Sequence, residues 1–308
     1  MKLFKEETDC VLVSEENFAQ KLNLETIFSP KIGIKICSIS ANRPGLVLTG
    51  HDKSFAPSRV QVMGMTELEY FNSLGNDRKK EVAQNFFSKK FPCLIIARGL
   101  KVPAEILAAA KEHNIPIFRS KKVTAILIND LFTYLNYLLA PSITMHGILL
   151  DVYGIGVLLT GRPGIGKSEA ALELINRGHR LVSDDVVAIK DISGKLIGSA
   201  PEVTEHLMEI RGIGLINVKS IFGVGAVLGS IEIELVIELK DWDAKAIYDR
   251  IGNSPQFEEI LGIPLPKRTV AVITGRNIAV LMEAAVSDFR LRQEGYNILD
   301  DVNNRRLK

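Results

Sequence analysis

Between positions 161 and 168 the chain reads Gly161-Arg162-Pro163-Gly164-Ile165-Gly166-Lys167-Ser168, a full match to the phosphate loop G-x-x-x-x-G-K-[ST]. Each residue type answers a physical need. The glycines let backbone N–H groups wrap phosphate oxygens, Lys167 bridges the outer phosphates, and Ser168 ligates Mg²⁺ at the positive start of a helix. The flanks agree: Val157 to Thr160 is an apolar strand entering the loop, and Glu169 to Arg177 is an amphipathic helix leaving it, stopped by Gly178.

Two further groups could act on a phosphate held there. Residues 147–153 and 156–161 read as the arms of a hairpin about a Gly154-Ile155 turn. In that register opposed positions sum to 309, which sets His146 opposite Pro163, where an imidazole could orient or protonate a phosphoryl oxygen. The plainer reading is a strand-start histidine bonded to backbone. Downstream, a strand over 179–183 ends in Asp184-Asp185. Paired beside the phosphate-loop strand, it would deliver both acids to the edge where phosphates lie. Successive strand residues face opposite ways. One acid would therefore hold metal or cap the turn while the other accepts a hydroxyl proton.

Local physics assigns less elsewhere. Glu209 and Arg211 sit in a glycine-punctuated apolar stretch, where a surface ion pair is the simple reading. Arg250 and Arg276 are candidate phosphate clamps that could equally be solvated. His51, His113, His179 and His206 read as surface or structural. Residues 231–240 alternate as a structural strand with its acids on an outer face. The last helix, about 277–293, shows Ile278, Leu281, Ala285 and Phe289 on one face, with Arg290 and Arg292 exposed beyond it.

These groups need a scaffold, and the chain is long enough for two domains. It has 308 residues, 46% hydrophobic and 24% charged, with a net charge of +2. Residues 1–140 carry 19 Lys and Arg against 14 Asp and Glu, too mild a bias to imply nucleic acid. In this part Ile32–Ile39 and Leu46–Leu48 read as strands about an Asn42-Arg43-Pro44-Gly45 turn. Residues 92–97 read as a buried strand, 104–113 as a helix and 115–118 as a strand, an α/β order. Helical periodicity over 123–139 then gives way to strands, so domains are expected at 1–135 and 136–308. Cys10, Cys37 and Cys93 are too few and too scattered for a disulfide framework or a zinc site, which suits a reducing cytoplasm. The start of the chain does not read as a secretory signal, and no apolar run reaches membrane-spanning length.

Taken together, Met145-His146-Gly147, the phosphate loop, Arg177 to Asp185, and the block Met208-Glu209-Ile210-Arg211-Gly212-Ile213-Gly214-Leu215-Ile216-Asn217-Val218 resemble bacterial HPr kinase/phosphorylase. Residues 42–45 and 92–99 resemble the N-terminal domain of that family. The resemblance implies a cytoplasmic kinase, assembled as a homohexamer, that phosphorylates a serine on the phosphocarrier protein HPr from ATP with Mg²⁺. It also implies removal of that phosphate by phosphorolysis, with release of pyrophosphate. The implied catalytic fold is similar to the nucleotide fold of phosphoenolpyruvate carboxykinase. By motif, Asp185 would be base and acid, His146 and Lys167 would handle phosphates, Ser168 and Glu209 would ligate Mg²⁺, and Arg250 would serve catalysis.

The chain departs from the family pattern at 271–277. Ala271-Val272-Ile273-Thr274-Gly275-Arg276-Asn277 lacks two prolines and a basic residue of a family loop tied mainly to dephosphorylation. Arg162 and Pro163 replace residues that are commonly small and polar. Two other classes stay open on the residues alone: a small-molecule kinase on the same loop, and a nucleotide sensor without chemistry.

Overall fold

The structure is a computed structural model, and it describes residues 10–53, 55–242, 256–273 and 275–296. The chain divides into two compact units, Met1–Ala140 and Pro141–Lys308.

The first unit runs β1 (Val11–Val13), α1 (Glu15–Leu22), β2 (Glu25–Phe28), β3 (Ile34–Ile36), β4 (Ala41–Asn42), α2 (Gly45–Leu48), β5 (Val60–Met63), α3 (Met65–Ser73), α4 (Asn76–Phe87), β6 (Leu94–Ile96), α5 (Ala104–His113), β7 (Ile117–Arg119) and α6 (Thr124–Leu139). Among the described residues five strands form a sheet in the order β2-β7-β6-β5-β4, with β4 to β7 parallel. Its central strands are buried on both faces, as helix-covered parallel strands must be. One face packs on α2 to α5 through Phe71, Phe86, Phe87 and Ile106, the other on α1 and α6 through Phe18, Leu127 and Leu131. Local chemistry sets the helix ends. The Ser14 hydroxyl accepts the Asn17 N–H at 3.2 Å at the start of α1, and left-handed Asn23 and Asn114 close α1 and α5.

Two expectations change here. Leu46 to Leu48 is not a strand but the short helix α2, because Pro44 sets its first turn and Val47 and Leu48 face the core. Cys10 and Cys37 form a disulfide, with Cα atoms 4.4 Å apart. The β1–β3 register pairs Val11 with Ile36, so the residues just beyond, 27 positions apart in sequence, meet across the ladder. Distance along the sequence hid this pair. Cys93 is the free cysteine and is buried.

The second unit contains β8 (Ser142–His146), β9 (Ile148–Val152), β10 (Ile155–Gly161), α7 (Lys167–Asn176), β11 (Arg180–Ser183), β12 (Val186–Ile192), β13 (Lys195–Ser199), β14 (Leu207–Ile210), β15 (Gly214–Asn217), α8 (Val218–Phe222), β16 (Ser230–Asp241), β17 (Gln256–Ile260), β18 (Ile263–Val272) and α9 (Ile278–Gln293). Among the described residues its main sheet has nine strands, ordered β11-β9-β10-β16-β13-β12-β8, with β18 also on β16 and β17 on β18. The long β16 joins both parts. Its first residues pair antiparallel with β13, and its later ones run parallel to β10 and β18. One sheet face packs against α7 and α9 through Val157, Leu159, Leu174, Leu235 and Met282. Glu232, Glu234 and Glu238 of β16 are only partly exposed rather than lining an open face, and Glu238 sits between Lys240 and Lys267.

The hairpin β9–β10 turns at Tyr153-Gly154, one residue earlier than expected. Both residues have positive φ, 56° and 87°, which gives the type I′ turn whose twist suits a hairpin. Opposed residues therefore follow Gly156↔Asp151 and Leu159↔Ile148. On α9 the buried face is Ala279, Met282, Val286 and Phe289, rotated from the predicted Ile278, Leu281, Ala285 and Phe289. Arg292 is not free beyond that face: its Nε donates to Asp288 at 2.8 Å.

Candidate active site

The phosphate loop springs from the end of β10. At Gly161 a Cβ would come within 2.8 Å of the Leu239 carbonyl on β16, so glycine alone lets the two strands close up there. The loop then runs directly into α7, whose first residue is Lys167. Its free N–H groups and positive end face the loop. Lys167 Nζ donates to the Gly161 carbonyl at 2.9 Å and the Arg162 carbonyl at 3.2 Å. The Arg162 side chain forks onto Asp241.

Around this loop lies a cavity of about 560 Å³. It brings together Pro163, Gly164, Gly166, Lys167 and Ser168 from the loop, His146 from the end of β8, Asp184 and Asp185 from the β11–β12 connection, and Glu209 and Arg211 from the β14–β15 hairpin. Ile165 is buried beneath it, packed with the apolar residues under α7. The sequence placed His146 on the same hairpin as the loop; it belongs instead to β8, paired with Val186 of β12. That pairing sets its Nδ1 3.7 Å from Asp185 Oδ1.

Asp184 and Asp185 do not come from a strand adjacent to β10. β9 lies between β10 and β11, and the acids reach the cavity because both flanking pairings are antiparallel, which leaves β11 running the same way as β10. The two acids then diverge. Asp184 is buried, and its Oδ2 accepts the Glu209 backbone N–H at 2.9 Å. Burial pushes its carboxyl above the usual aspartate range, and the Glu209 N–H pulls only partly against that. Asp185 has φ 63° and a side chain 79% exposed, and its carbonyl accepts the Gly147 N–H at 2.9 Å. Asp184 thus ties the Glu209 strand to the acid turn, and Asp185 carries the exposed carboxylate.

Ser168 and Glu209 offer a hydroxyl and a carboxylate, hard oxygen donors of the kind Mg²⁺ takes. That ion keeps several waters and phosphate oxygens and needs only one or two protein ligands. Among the described residues no three His, Cys, Asp or Glu side chains converge as a complete cage.

Arg211 is a residue whose place the sequence did not reveal. Rather than forming a surface pair on a turn, its guanidinium lies over Gly164, where a Cβ would meet Nη1 at 2.9 Å. It adds a second cation to the cavity lining beside Lys167. The only signal was its position in the glycine-punctuated block. Arg276 is exposed in the turn before α9 and does not line the cavity. Arg250 lies outside the described residues. His179, buried, bonds Glu283 at 3.1 Å and packs on Tyr153.

Comparison with known proteins bears on the whole chain. Residues 11–135 match the family described as HPr Serine kinase N terminus, and residues 137–306 match HPr Serine kinase C-terminal domain. A protein of Caldanaerobacter subterraneus subsp. tengcongensis named HPr kinase/phosphorylase is 46% identical, over 96% of this chain and 98% of that protein. One of Listeria monocytogenes serotype 4a with the same name is 44% identical, over 95% of this chain and 96% of that protein. The solved structure of the HPr(Ser) kinase/phosphatase from Coxiella burnetii is 41% identical, covering 53% of this chain and 97% of that one, with a TM-score of 0.48. No helix among the described residues is long and apolar enough to cross a membrane.

Proposed function

The chain belongs to the HPr serine kinase family, and from that membership we propose that it phosphorylates a serine of the phosphocarrier HPr and reverses the reaction by phosphorolysis. The observation that carries the chemistry is the convergence of His146, Lys167, Ser168, Asp185 and Glu209 on one cavity. A nucleotide sensor would need the loop alone; the acid and the imidazole have work only if a group is transferred.

In this reading the loop N–H groups and Lys167 hold the β- and γ-phosphates of ATP, and Arg211 adds charge beside them. Ser168 and Glu209 would hold Mg²⁺, which when bound neutralises charge on the phosphates. Asp185, exposed at the cavity mouth, accepts the proton of the incoming serine hydroxyl as its oxygen meets the γ-phosphorus in line. In reverse, inorganic phosphate attacks the phosphoserine phosphorus to form pyrophosphate, the bond to the serine oxygen breaks, and Asp185 gives that departing oxygen its proton. His146 orients a phosphoryl oxygen and the Asp185 carboxylate. Arg250 is assigned to the transferring group by its motif.

We further infer a cytoplasmic homohexamer that governs carbon metabolism through HPr. Its domains fall at 1–135, regulatory or assembling, and 136–308, catalytic and similar to the phosphoenolpyruvate carboxykinase nucleotide fold. Pyrophosphate as an alternative donor follows from the reversibility. Incubation with labelled ATP, Mg²⁺ and purified HPr tests the reading. Serine labelling of HPr supports it; label on a metabolite, or binding without turnover, would replace it with one of the two other classes. Adding inorganic phosphate to labelled HPr then reports whether the altered 271–277 loop sustains the reverse reaction.

A further inference from the structure

Arg162 stands at a loop position that phosphate binding does not specify, and it is not among the residues lining the cavity that holds Lys167. Its guanidinium makes a two-pronged contact with Asp241, Nε to Oδ2 at 2.6 Å and Nη2 to Oδ1 at 2.7 Å. Asp241 is the last residue of β16, two beyond Leu239, the partner of Gly161 in the parallel ladder. The contact therefore extends the β10–β16 pairing by one side-chain link, at the point where the chain leaves the sheet to become the loop. The backbone of the same residue is held from the other side. The Arg162 carbonyl accepts Lys167 Nζ at 3.2 Å and the Ile165 N–H at 3.4 Å.

We propose that Asp241 is a positioning residue for the phosphate loop: by clamping Arg162 it fixes the entry limb of the loop in its phosphate-accepting shape. Fork-to-carboxylate geometry gives the link direction as well as attraction. A preset loop avoids the ordering cost of binding a polyphosphate. Both side chains are more than half exposed, so the effect is modest and weakened by salt. The clamp acts on ground and transition states alike, so it changes affinity and not turnover.

The inference rests on the loop's reading as a nucleotide site, and its test separates the two. Dissociation constants for ADP with Mg²⁺ and for pyrophosphate with Mg²⁺ are measured by calorimetry on the full chain, alongside KM and kcat for HPr labelling. Asp241→Asn and Arg162→Ala should each weaken binding roughly two- to fivefold. The double variant should be no weaker than either single one, and the swapped pair Arg162→Asp/Asp241→Arg should recover most of the loss. KM for ATP should rise with kcat unchanged, and 0.5 M salt should shrink the differences. Tighter binding by Asp241→Asn would overturn the clamp, since it would make Arg162 a restrained phosphate ligand. Unchanged binding, or additive losses in the double variant, would overturn it too. A wild-type chain that binds nucleotide without labelling HPr would defeat the functional reading while leaving the clamp to be judged on affinity.

Discussion

His146 and Asp185 meet at the end of the β8–β12 ladder, with Nδ1 3.7 Å from Oδ1. The strand pairing His146↔Val186 and the Gly147 N–H on the Asp185 carbonyl at 2.9 Å fix both backbones. The imidazole therefore stands beside the exposed carboxylate at the cavity mouth. Replacing His146 with Ala should lower kcat for HPr labelling by about 10- to 100-fold while the dissociation constant for ADP changes little. A large loss of ADP affinity with normal kcat would show that His146 only binds.

Gly164 allows Arg211 to lie on the loop. In Gly164→Ala the new Cβ would sit 2.9 Å from Arg211 Nη1, on a backbone with φ 81°, a region costing about 1–2 kcal/mol for a residue with a side chain. Nucleotide affinity should fall roughly tenfold or more, read by calorimetry, and melting temperature should move little because the loop is exposed.

Glu67 of α3 binds the Arg43 guanidinium at 2.9 and 3.0 Å and accepts the Gly64 N–H at 2.9 Å. Burial pushes its carboxyl up, but the Arg43 fork and the Gly64 N–H together outweigh burial and hold it below its ordinary value of 4.5. A depressed carboxylate contributes stability above its unfolded pKa and loses it as pH falls through the folded value. Glu67→Gln should destabilise the first unit by about 1–3 kcal/mol at pH 7. The gap should close as pH falls below the carboxylate range, followed by denaturant melts at several pH values. A gap that persists at pH 2–3 would contradict the charge assignment.

With Cys10 and Cys37 paired and the Cys93 thiol buried and shifted upward by that burial, the oxidised native protein should show no thiol reactive to Ellman's reagent. One should appear on unfolding and three after reduction. Reduction should also destabilise the β1–β3 connection by about 2–4 kcal/mol, the chain-entropy value for a loop of this length.

The phosphate loop and its flanking strand and helix were legible because their residue types are dictated by contact with phosphate and by periodicity over many positions. Short elements were not. Leu46-Val47-Leu48 is too brief to show any period, and Pro44 decided it for helix. The hairpin turns one residue earlier than its residue types suggest because Tyr153 adopts positive φ, which side-chain type does not announce. His146 lines the same cavity as the loop, but not as a continuation of the β9–β10 hairpin. The strand that brings it there, β8, pairs with β12, and such long-range partners leave no local mark. Glu209 takes a role only from the resemblance, and Arg211 shows only as part of a pair in a glycine-punctuated stretch. Their proximity depends on a buried acid, Asp184, binding the backbone of a distant hairpin. Arg250 falls outside the described residues, and its assignment still rests on its motif.

The central claim is that Asp185 moves the serine proton while the loop binds the donor. Single-turnover labelling of HPr by Asp185→Asn, with ADP affinity measured on the same preparation, tests it most directly. The account predicts that transfer falls by about 10²- to 10⁴-fold at unchanged ADP affinity. Transfer at the wild-type rate would contradict it.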